Sequence, residues 1–335
     1  MSQGACISRP TLPSCRSKKA RKPSKRLKAQ KAFSTPKKRR RHPRPMTPTA
    51  RTLAETVRLS GVGIHTGTPC EIALHPLEPT APTQLPKRGL PTQIRFHANA
   101  HEFPARWNYI VDTTRATVLG DAAARISTVE HLMAALWFTG ITHCLIELLR
   151  GAEVPILDGS AQPFVEAVCA AGTRDIPLPE PRAFPAQSSS EPPVFQVRDG
   201  ERFLALQLSG STLFGYIELP PPLSVQAGAF SLAESRAQIA PARTFGFLHE
   251  VEALRQRGLA LGGSLENALV INETGYYNPA RFADEPLRHK LLDVLGDLYL
   301  CGAYLQAFTL VAVKPGHTLN AQLTCQLAQW LWTEA

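Results

Sequence analysis

The stretch LRHKLLDVLGDL (residues 287–298) predicts a helix with two chemically different faces. Its apolar side chains recur every three or four residues and form one stripe: Leu287, Leu291, Val294, Leu295 and Leu298. His289, Asp293 and Asp297 stand at i, i+4 and i+8 on a separate face. From spacing alone, this face is either a solvated surface with a helical ion pair worth about 0.2–0.5 kcal/mol or a place where His289 and Asp293 bind one metal ion. The solvated surface is the more ordinary interpretation.

A second motif, STVEH (residues 127–131), predicts a helix that starts at Ser127. Ser127 and Glu130 have the spacing of a capping box, which is the favoured interpretation of this motif taken alone. The functional interpretation instead places Glu130 and His131 side by side at a helix start, as a general base and a metal ligand that reach one site.

A third motif, KPGH (residues 314–317), follows an apolar strand. A histidine in such a turn is usually only a loop residue, but strand ends also display catalytic groups. His317 is therefore a candidate that needs support from other segments.

Length and composition favour a soluble two-domain protein. The 335 residues suit two domains of about 100–150 residues each plus extensions, and 44% of them are hydrophobic. No run approaches the roughly 20 apolar residues that span a bilayer. The seven cysteines include no CxxC pair, which predicts neither a disulfide framework nor a cysteine zinc site and is typical of the reducing cytoplasm.

The positive charge is confined to the N-terminal end of the chain. Residues 1–50 hold 16 of the 37 Lys and Arg and no acidic residue, whereas the other 285 residues carry 21 basic and 27 acidic side chains, a net charge of −6. We therefore expect no nucleic-acid binding by the folded body. Residues 1–45 are predicted to be a disordered basic tail. It is an arm for nucleic acid or anionic membranes, a targeting segment, or, as we favour, untranslated sequence before a true start at Met46.

The remaining chain divides into two similar halves. The Pro- and Ser-rich segment 176–195 predicts a linker between an N-terminal α+β domain (46–175) and a C-terminal one (196–335). Each half has several short strand patterns and about two helices, with helices expected near 127–136, 164–171, 247–257, 286–301 and 318–332. No internal repeat is strong enough to prove duplication.

Seven segments, taken in order, resemble the family of UDP-3-O-acyl-N-acetylglucosamine deacetylases. They are RTLAETVRLSGVGIHTG (51–67), STVEHLMAAL (127–136), VPILDGSAQPFV (154–165), ARTFGF (242–247), RGLALGGSLENALV (257–270), RHKLLDVLGDL (288–298) and KPGH (314–317). Together they span nearly all of residues 51–335 and are far more specific than any single motif. Residues 1–45 lie outside the resemblance, which supports the start at Met46.

The resemblance implies both a fold and a reaction. The fold is α+β, with two similar sandwich domains, each a mostly antiparallel sheet packed on two helices, and with the active site between them. The reaction is the zinc-dependent hydrolysis of the N-acetyl group of UDP-3-O-acyl-N-acetylglucosamine, the committed step of lipid A biosynthesis in Gram-negative-type bacteria. The expected partner is that substrate, the expected state is a monomer, and a transient contact with a membrane surface is allowed.

The resemblance also assigns roles to individual residues. One Zn²⁺ is expected on His131, His289 and Asp293, with water at the open position. Glu130 is expected to be the general base. Thr244 is expected to bind the oxyanion, and His317 to protonate the leaving amine or stabilise the oxyanion. Asp297 is expected to pair with the imidazole of His317. Lys290 and His65 are expected to contact the substrate. How Glu130 and His317 divide the proton transfers does not follow from the sequence.

The acyl chain of such a substrate needs an apolar passage, which the resemblance places in an insert at about 249–273. Its candidate lining residues are Val251, Ala260, Gly263, Leu265 and Val270, for which ordinary core packing is an equally good explanation. The polar Asn267 among them predicts a passage of different shape or greater wetness. The second-half sheet region, about 194–240, looks short against the family pattern.

Two other functions compete with the enzyme. A basic-tailed nucleic-acid-binding protein is disfavoured by the acidic body and by the lack of interleaved aromatic and basic residues. A non-catalytic relative is disfavoured because every polar residue of the expected site is present.

Overall fold

Short apolar runs separated by turns form two five-stranded sheets. The computed structural model describes residues 49–80, 84–178 and 193–333. The predicted tail (1–45) and residues 179–192 of the predicted linker lie outside the described residues. Within these ranges, no helix is long and apolar enough to cross a membrane.

The first half of the described chain contains the elements β1 to β11, α1 and α2. Their bounds are β1 Thr49–Leu53, β2 Val57–Val62, β3 Pro69–Pro76, β4 Leu90–Pro91, β5 Gln93–Ala98, β6 His101–Pro104, β7 Ile110–Asp112, β8 Val118–Gly120, β9 Arg125–Ile126, α1 Glu130–Thr139, β10 His143–Arg150, α2 Gln162–Ala171 and β11 Thr173–Pro177. A 3₁₀ turn lies at Trp107–Tyr109.

The second half contains β12 to β20 and α3 to α6. Their bounds are β12 Val194–Asp199, β13 Arg202–Gln207, β14 Thr212–Glu218, β15 Val225–Ser231, α3 Ser235–Gln238, β16 Phe245–Phe247, α4 Val251–Gln256, β17 Leu269–Asn272, β18 Gly275–Tyr276, α5 Glu285–Tyr299, β19 Ala303–Tyr304, β20 Thr309–Val313 and α6 His317–Trp332. A 3₁₀ turn at Leu248–Glu250 precedes α4.

The two main sheets have the same topology. The first sheet has the strand order β2-β3-β10-β5-β6, and the second has the order β12-β13-β20-β14-β15. In each sheet the central strand comes last in the chain, is antiparallel to the second strand and parallel to the third. The long helices α1 and α5 come before these central strands in the chain, and α2 and α6 follow them. The predicted α+β class with two similar, mostly antiparallel units is therefore confirmed, and the shared strand order reveals the repeat that the sequence alone does not.

The helices α1, α2, α5 and α6 pack together and share one apolar core. Nine of the ten residues of α1 are buried, as expected for a helix that is covered on all sides. α1 packs against α2 and α5, and α5 packs against α6. The buried apolar residues of both halves form one continuous cluster.

Gly296 permits the close contact between α1 and α5. A Cβ atom at this position would overlap the backbone carbonyl of Glu130. Glycine inside a helix lowers stability by roughly 0.5–1 kcal/mol relative to alanine. At Gly296 this loss accompanies the close approach of α1 and α5, which a larger residue would prevent.

The structure corrects the expected start of α1. The helix begins at Glu130 and not at Ser127, and no side chain in the described part of the chain caps it. Ser127 pairs with Glu153 in an isolated β-bridge, and Thr128 has a left-handed φ of 60°. The chain is therefore still extended or turning at these residues, and the capping box does not form.

Two details of the second half differ from what the local sequence patterns indicate. The second sheet has five strands, as the first has, because β15 supplies a strand whose glycine- and alanine-rich sequence has little apolar signal. The helix expected over 247–257 is shorter, since only Val251–Gln256 is α-helical.

Candidate metal centre and active site

A cavity of about 830 Å³ lies where α1, α5 and the 245–270 segment meet. Eleven of the twelve site residues expected from the sequence line it: His65, Glu130, His131, Thr244, Val251, Gly263, Leu265, His289, Lys290, Asp293 and His317. The twelfth, Asp297, lies behind His317 and bonds to its imidazole. Segments from both halves of the chain therefore converge on one site.

His131, His289 and Asp293 form a candidate metal site. One ligand atom from each residue lies within 4.8 Å of the others. Both Nε2 atoms point at the same carboxylate oxygen, since Asp293 Oδ1 is 3.6 Å from His131 Nε2 and 3.3 Å from His289 Nε2. All three side chains are buried. The three residues thus offer two nitrogen donors and one oxygen donor on three sides of one point.

An orphaned oxygen supports the fit of a metal ion. Asp293 Oδ1 is buried and accepts no hydrogen bond from the described residues. A buried carboxylate oxygen left without a partner is costly. A divalent cation held by two imidazoles and this oxygen removes that cost, and the donor set suits Zn²⁺ or a similar ion.

The protonation states of the ligands suit a metal. Burial lowers the pKa of His289 to about 3 against the opposing charge of Asp293, so its imidazole is neutral. For Asp293, burial raises the pKa, but the neighbouring His289 imidazole and the charge of Lys290 outweigh it and hold the pKa well below its ordinary value. Metal ligands must be deprotonated in this way. His289 is also oriented by its Nδ1, which is 3.2 Å from the backbone oxygen of Ala242.

Glu130 lies at the first turn of α1, next to the candidate ligand His131. Burial raises its pKa above the ordinary value for a glutamate, while the charges of His317 and His131 lower it. Its Oε2 accepts the backbone N–H of Thr117 at 3.0 Å. A raised pKa is what a carboxylate needs to take up a proton near neutral pH.

His317 and Asp297 form a buried ion pair. Their Nδ1 and Oδ2 atoms are 3.0 Å apart. Burial alone would lower the pKa of His317, but the charge and hydrogen bond of Asp297, together with Glu130 and Asp293, raise it to about 9. The imidazole is therefore a cation at pH 7, even though it stands at the N-terminus of α6, where the helix dipole disfavours positive charge.

Lys290 adds a second cation beside the candidate ligands. Its Nζ donates to Asp293 Oδ2 at 2.9 Å and lies 5.7 Å from the centre of the Phe245 ring. The face of α5 that carries His289, Asp293 and Asp297 is therefore buried and partnered. The solvated-surface interpretation of this face is wrong, because α1 and the 242–247 segment cover it.

Glu153 holds the glycine-rich GVGIHTG loop against the site. Its buried carboxylate accepts the backbone N–H groups of His65 and Thr66, both at 3.0 Å, and the hydroxyl of Thr128 at 2.7 Å. A Cβ atom at Gly63 would overlap this carboxylate. His65 is thus fixed at the wall of the cavity, where burial lowers the pKa of its imidazole.

The apolar side of the cavity comes from the 245–270 segment. All five candidate passage residues line it: Val251, Ala260, Gly263, Leu265 and Val270. Asn267 does not. Its side chain is buried, accepts the N–H of Ser264 at 2.8 Å and donates to the Gly262 oxygen at 3.0 Å. The expectation that Asn267 makes the passage wetter is wrong, because this amide fastens the loop instead.

Three further buried polar residues complete the site although they belong to none of the predicted site residues: Thr117, Glu153 and Asn320. Asn320 Nδ2 donates to Asp297 Oδ2 at 2.8 Å, and the Thr117 hydroxyl donates to Asp297 Oδ1 at 2.6 Å. Only Glu153 could have been suspected, since an acidic residue directly before the apolar VPIL segment needs a partner when it is buried.

Comparison with known proteins identifies the family. The model of the UDP-3-O-acyl N-acetylglycosamine deacetylase family (LpxC) matches residues 50–329. The UDP-3-O-acyl-N-acetylglucosamine deacetylase of Thermosynechococcus vestitus is 41% identical over 284 residues, which cover 84% of this chain and 94% of that protein. Proteins of the same name from Leptospira biflexa and Wolinella succinogenes are each 38% identical; they cover 83% of this chain and 90% and 89% of their own lengths. The resemblance found in the motifs is confirmed, and the chain belongs to the UDP-3-O-acyl N-acetylglycosamine deacetylase family.

Proposed function

We propose that this chain hydrolyses the N-acetyl group of UDP-3-O-acyl-N-acetylglucosamine to give the free amine and acetate, the committed step of lipid A biosynthesis. Membership of the family supports the reaction. The observation that carries the proposal for this chain is the convergence of His131, His289 and the unpartnered Asp293 Oδ1 beside Glu130 and His317.

The resident ion is Zn²⁺, held by His131, His289 and Asp293. Three protein ligands with one open position are characteristic of catalytic zinc. When bound, the ion supplies Lewis-acid polarisation of a water molecule and of the amide carbonyl. Because one ligand is a carboxylate, other divalent ions can substitute for zinc.

Two residues move the protons. Glu130 takes the proton of the attacking water, using the carboxylate oxygen that Thr117 does not occupy. His317 donates a proton from Nε2 to the nitrogen of the leaving amine, since its Nδ1 is bonded to Asp297. The positive charge on His317 also stabilises the negative charge that develops on the amide oxygen.

The remaining polar residues bind and orient the substrate. The Thr244 hydroxyl donates to the developing oxyanion, and its backbone is fixed by an N–H bond of 2.7 Å to the Gly159 oxygen. Lys290 and His65 contact polar groups of the sugar. Val251, Gly263 and Leu265 line the wall against which the acyl chain lies, where apolar contact excludes water.

Metal analysis combined with single variants tests the proposal. The purified chain should contain about one zinc per molecule. His289→Ala should lose the metal, whereas Glu130→Gln should keep it and lose about 10²–10⁴-fold in kcat. His97→Gln, on the outer face of the first sheet, is the matched control and should change neither. Metal-loaded wild type that leaves the N-acetyl sugar intact would refute the reaction, and full activity in Glu130→Gln would refute the assigned base.

Several properties stay predictions: the cytoplasmic location, the monomeric state, the transient membrane contact and the absence of nucleic-acid binding by the folded body. The division into domains at 176–195 and the start at Met46 also stay predictions.

A further inference from the structure

Thr117 touches both proton-handling groups of the site, although neither the motifs nor the proposed roles include it. It lies directly before β8 and is fully buried. Its neighbours in space are far away in the chain, since Glu130 is 13 residues away and Asp297 is 180 residues away.

The backbone of Thr117 fixes the start of α1. Its N–H donates to Glu130 Oε2 at 3.0 Å, and its carbonyl accepts the N–H of Val129 at 3.3 Å. These two bonds hold the residue before α1 and the side chain of its first residue against the same strand. Glu130 Oε1 makes no hydrogen bond with the described residues, so it is the oxygen left for chemistry.

The hydroxyl of Thr117 fixes the imidazole of His317. It has one proton, which it donates to the carboxylate oxygen Asp297 Oδ1 at 2.6 Å, because an ionised carboxylate can only accept. The contact of 3.3 Å between Thr117 Oγ1 and His317 Nδ1 must then have the nitrogen as donor. Asp297 Oδ2, 3.0 Å from the same nitrogen, requires the same arrangement.

His317 Nδ1–H is therefore held between two acceptors, and Nε2 is the nitrogen that exchanges protons. Nε2 lies on the side of the candidate metal ligands, 4.0 Å from Asp293 Oδ2. One threonine thus fixes which oxygen of Glu130 and which nitrogen of His317 face the reacting groups.

We infer that Thr117 is a positioning residue that holds the general base and the imidazolium acid in one geometry. This inference rests on the proposed function for its effect on turnover. Its structural part, the fixed Nδ1–H of His317, stands independently of the reaction. Asn320 cannot replace the hydroxyl, since its amide donates to the other oxygen of Asp297.

Two substitutions separate the hydroxyl from the rest of the residue. Thr117→Val keeps the shape and both backbone bonds but loses the hydroxyl, and Thr117→Ser keeps the hydroxyl and loses a methyl group. Thr139→Val is the matched control, because among the described residues this buried hydroxyl bonds only to the carbonyls of its own helix, Ala135 and Leu136.

The expected result is a loss of turnover without a loss of binding. In Thr117→Val, kcat should fall about 10- to 100-fold, part of the roughly 10²–10⁴-fold that a positioned acid or base contributes, while KM and zinc content stay within about twofold of wild type. Thr117→Ser should recover kcat to within about threefold, and Thr139→Val should match wild type. Unchanged kcat in Thr117→Val, or an equal fall in Thr139→Val, would overturn the inference.

Nuclear magnetic resonance gives a readout that does not need turnover. In metal-free protein labelled with ¹⁵N-histidine, the Nδ1–H proton of His317 should be protected from exchange with water in wild type and Thr117→Ser and exchange at least about tenfold faster in Thr117→Val. Equal exchange in all three proteins would overturn the inference. If the Nδ1–H exchange differs between the variants as expected but the metal-loaded wild type leaves the N-acetyl sugar intact, only the proposed function is refuted.

Discussion

The helices α1 and α5 occupy the same place in the two halves, yet they contribute differently to the site. Each is the last helix before the central strand of its sheet, and the two pack against each other. α1 contributes only from its first turn, through Glu130 and His131, and its other residues are apolar or small. α5 contributes from three successive turns, through His289, Asp293 and Asp297. A nearly symmetric scaffold therefore carries an asymmetric site.

Because α5 carries polar residues along its length and α1 only at its start, the two helices need different hydrogen-bond partners for their buried polar groups. A helix with a polar row along its length cannot be buried unless each group in the row is paired. The partners of α5 come from elsewhere: Ala242 for His289, Lys290 for Asp293, and Thr117 with Asn320 for Asp297. On α1, Glu130 is partnered by Thr117, whereas His131 Nδ1 is buried and has no hydrogen-bond partner among the described residues. α5 therefore carries more of the buried polar groups at this interface than α1 does.

The largest effect is expected where the two helices touch. Gly296→Ala places a Cβ atom against the backbone carbonyl of Glu130, and neither helix backbone can yield locally. We expect a loss of about 5 kcal/mol in the free energy of unfolding, at the upper end for a single substitution. Urea unfolding of the purified variant measures this loss.

The control for this substitution is Gly246→Ala, where a Cβ atom would meet nothing within 4 Å. Its free energy of unfolding should stay within about 0.5 kcal/mol of wild type. Equal stability of Gly296→Ala and Gly246→Ala would mean that the contact between α1 and α5 is looser than the structure places it.

The start of α5 should be the next most sensitive point, because a buried ion pair anchors it. Glu285 is fully buried and accepts three bonds from Arg243, including Nε at 2.9 Å, and one from the backbone of Arg281. Arg243→Met leaves this carboxylate uncompensated and should cost about 3–4 kcal/mol, since breaking a buried pair from one side is strongly destabilising. Urea unfolding again gives the value.

A surface pair provides the contrast for Arg243. Arg95 bonds to Glu102 at 2.7 Å, but both side chains are about 40% exposed. Arg95→Met should therefore change the free energy of unfolding by less than about 1 kcal/mol. If both variants lose the same amount, the anchoring role of the Arg243–Glu285 pair is wrong.

The polar row of α5 shows how far the sequence alone could lead. The i, i+4 spacing of His289 and Asp293 allows a metal site, but spacing alone favours an ordinary solvated face. What decides between the two is the cover that α1 provides, and this contact joins residues more than 150 positions apart. Only the order of the seven motifs, which are spread over residues 51–317, indicates the right interpretation.

Local patterns failed for the same reason at Ser127 and at β15. The spacing of Ser127 and Glu130 satisfied a capping box, but the bridge to Glu153 keeps Ser127 extended and the N–H of Thr117 engages Glu130. β15 has a glycine and two alanines, so its membership of the sheet depends on pairing with β14 and not on its own apolarity. Thr117 has no local signal, since its role consists entirely of long-range bonds.

The smallest of these effects is a loss of stability at low pH, which we expect from a buried histidine in β10 and for which β20 has no counterpart. β10 begins with His143, which is fully buried and whose only side-chain hydrogen-bond partner among the described residues is the Thr142 hydroxyl at 2.9 Å, whereas β20 contains no histidine. Burial lowers the pKa of His143 from 6.5 to about 4. The unfolded chain therefore binds a proton between pH 6.5 and 4 that the folded chain does not. Stability is fully present above pH 6.5 and is lost as the pH falls to about 4.

The expected size of this loss is about 3 kcal/mol by pH 4. Urea unfolding of wild type and His143→Leu at pH 7.5, 5.5 and 4.5 isolates it, because the other titrating groups are common to both proteins and the difference between their slopes belongs to His143. The variant should lose less stability than wild type over this range, whatever its stability at pH 7.5. Parallel pH dependences would mean that His143 is protonated in the folded state, and the acid sensitivity of the first half would then have to come from its carboxylates.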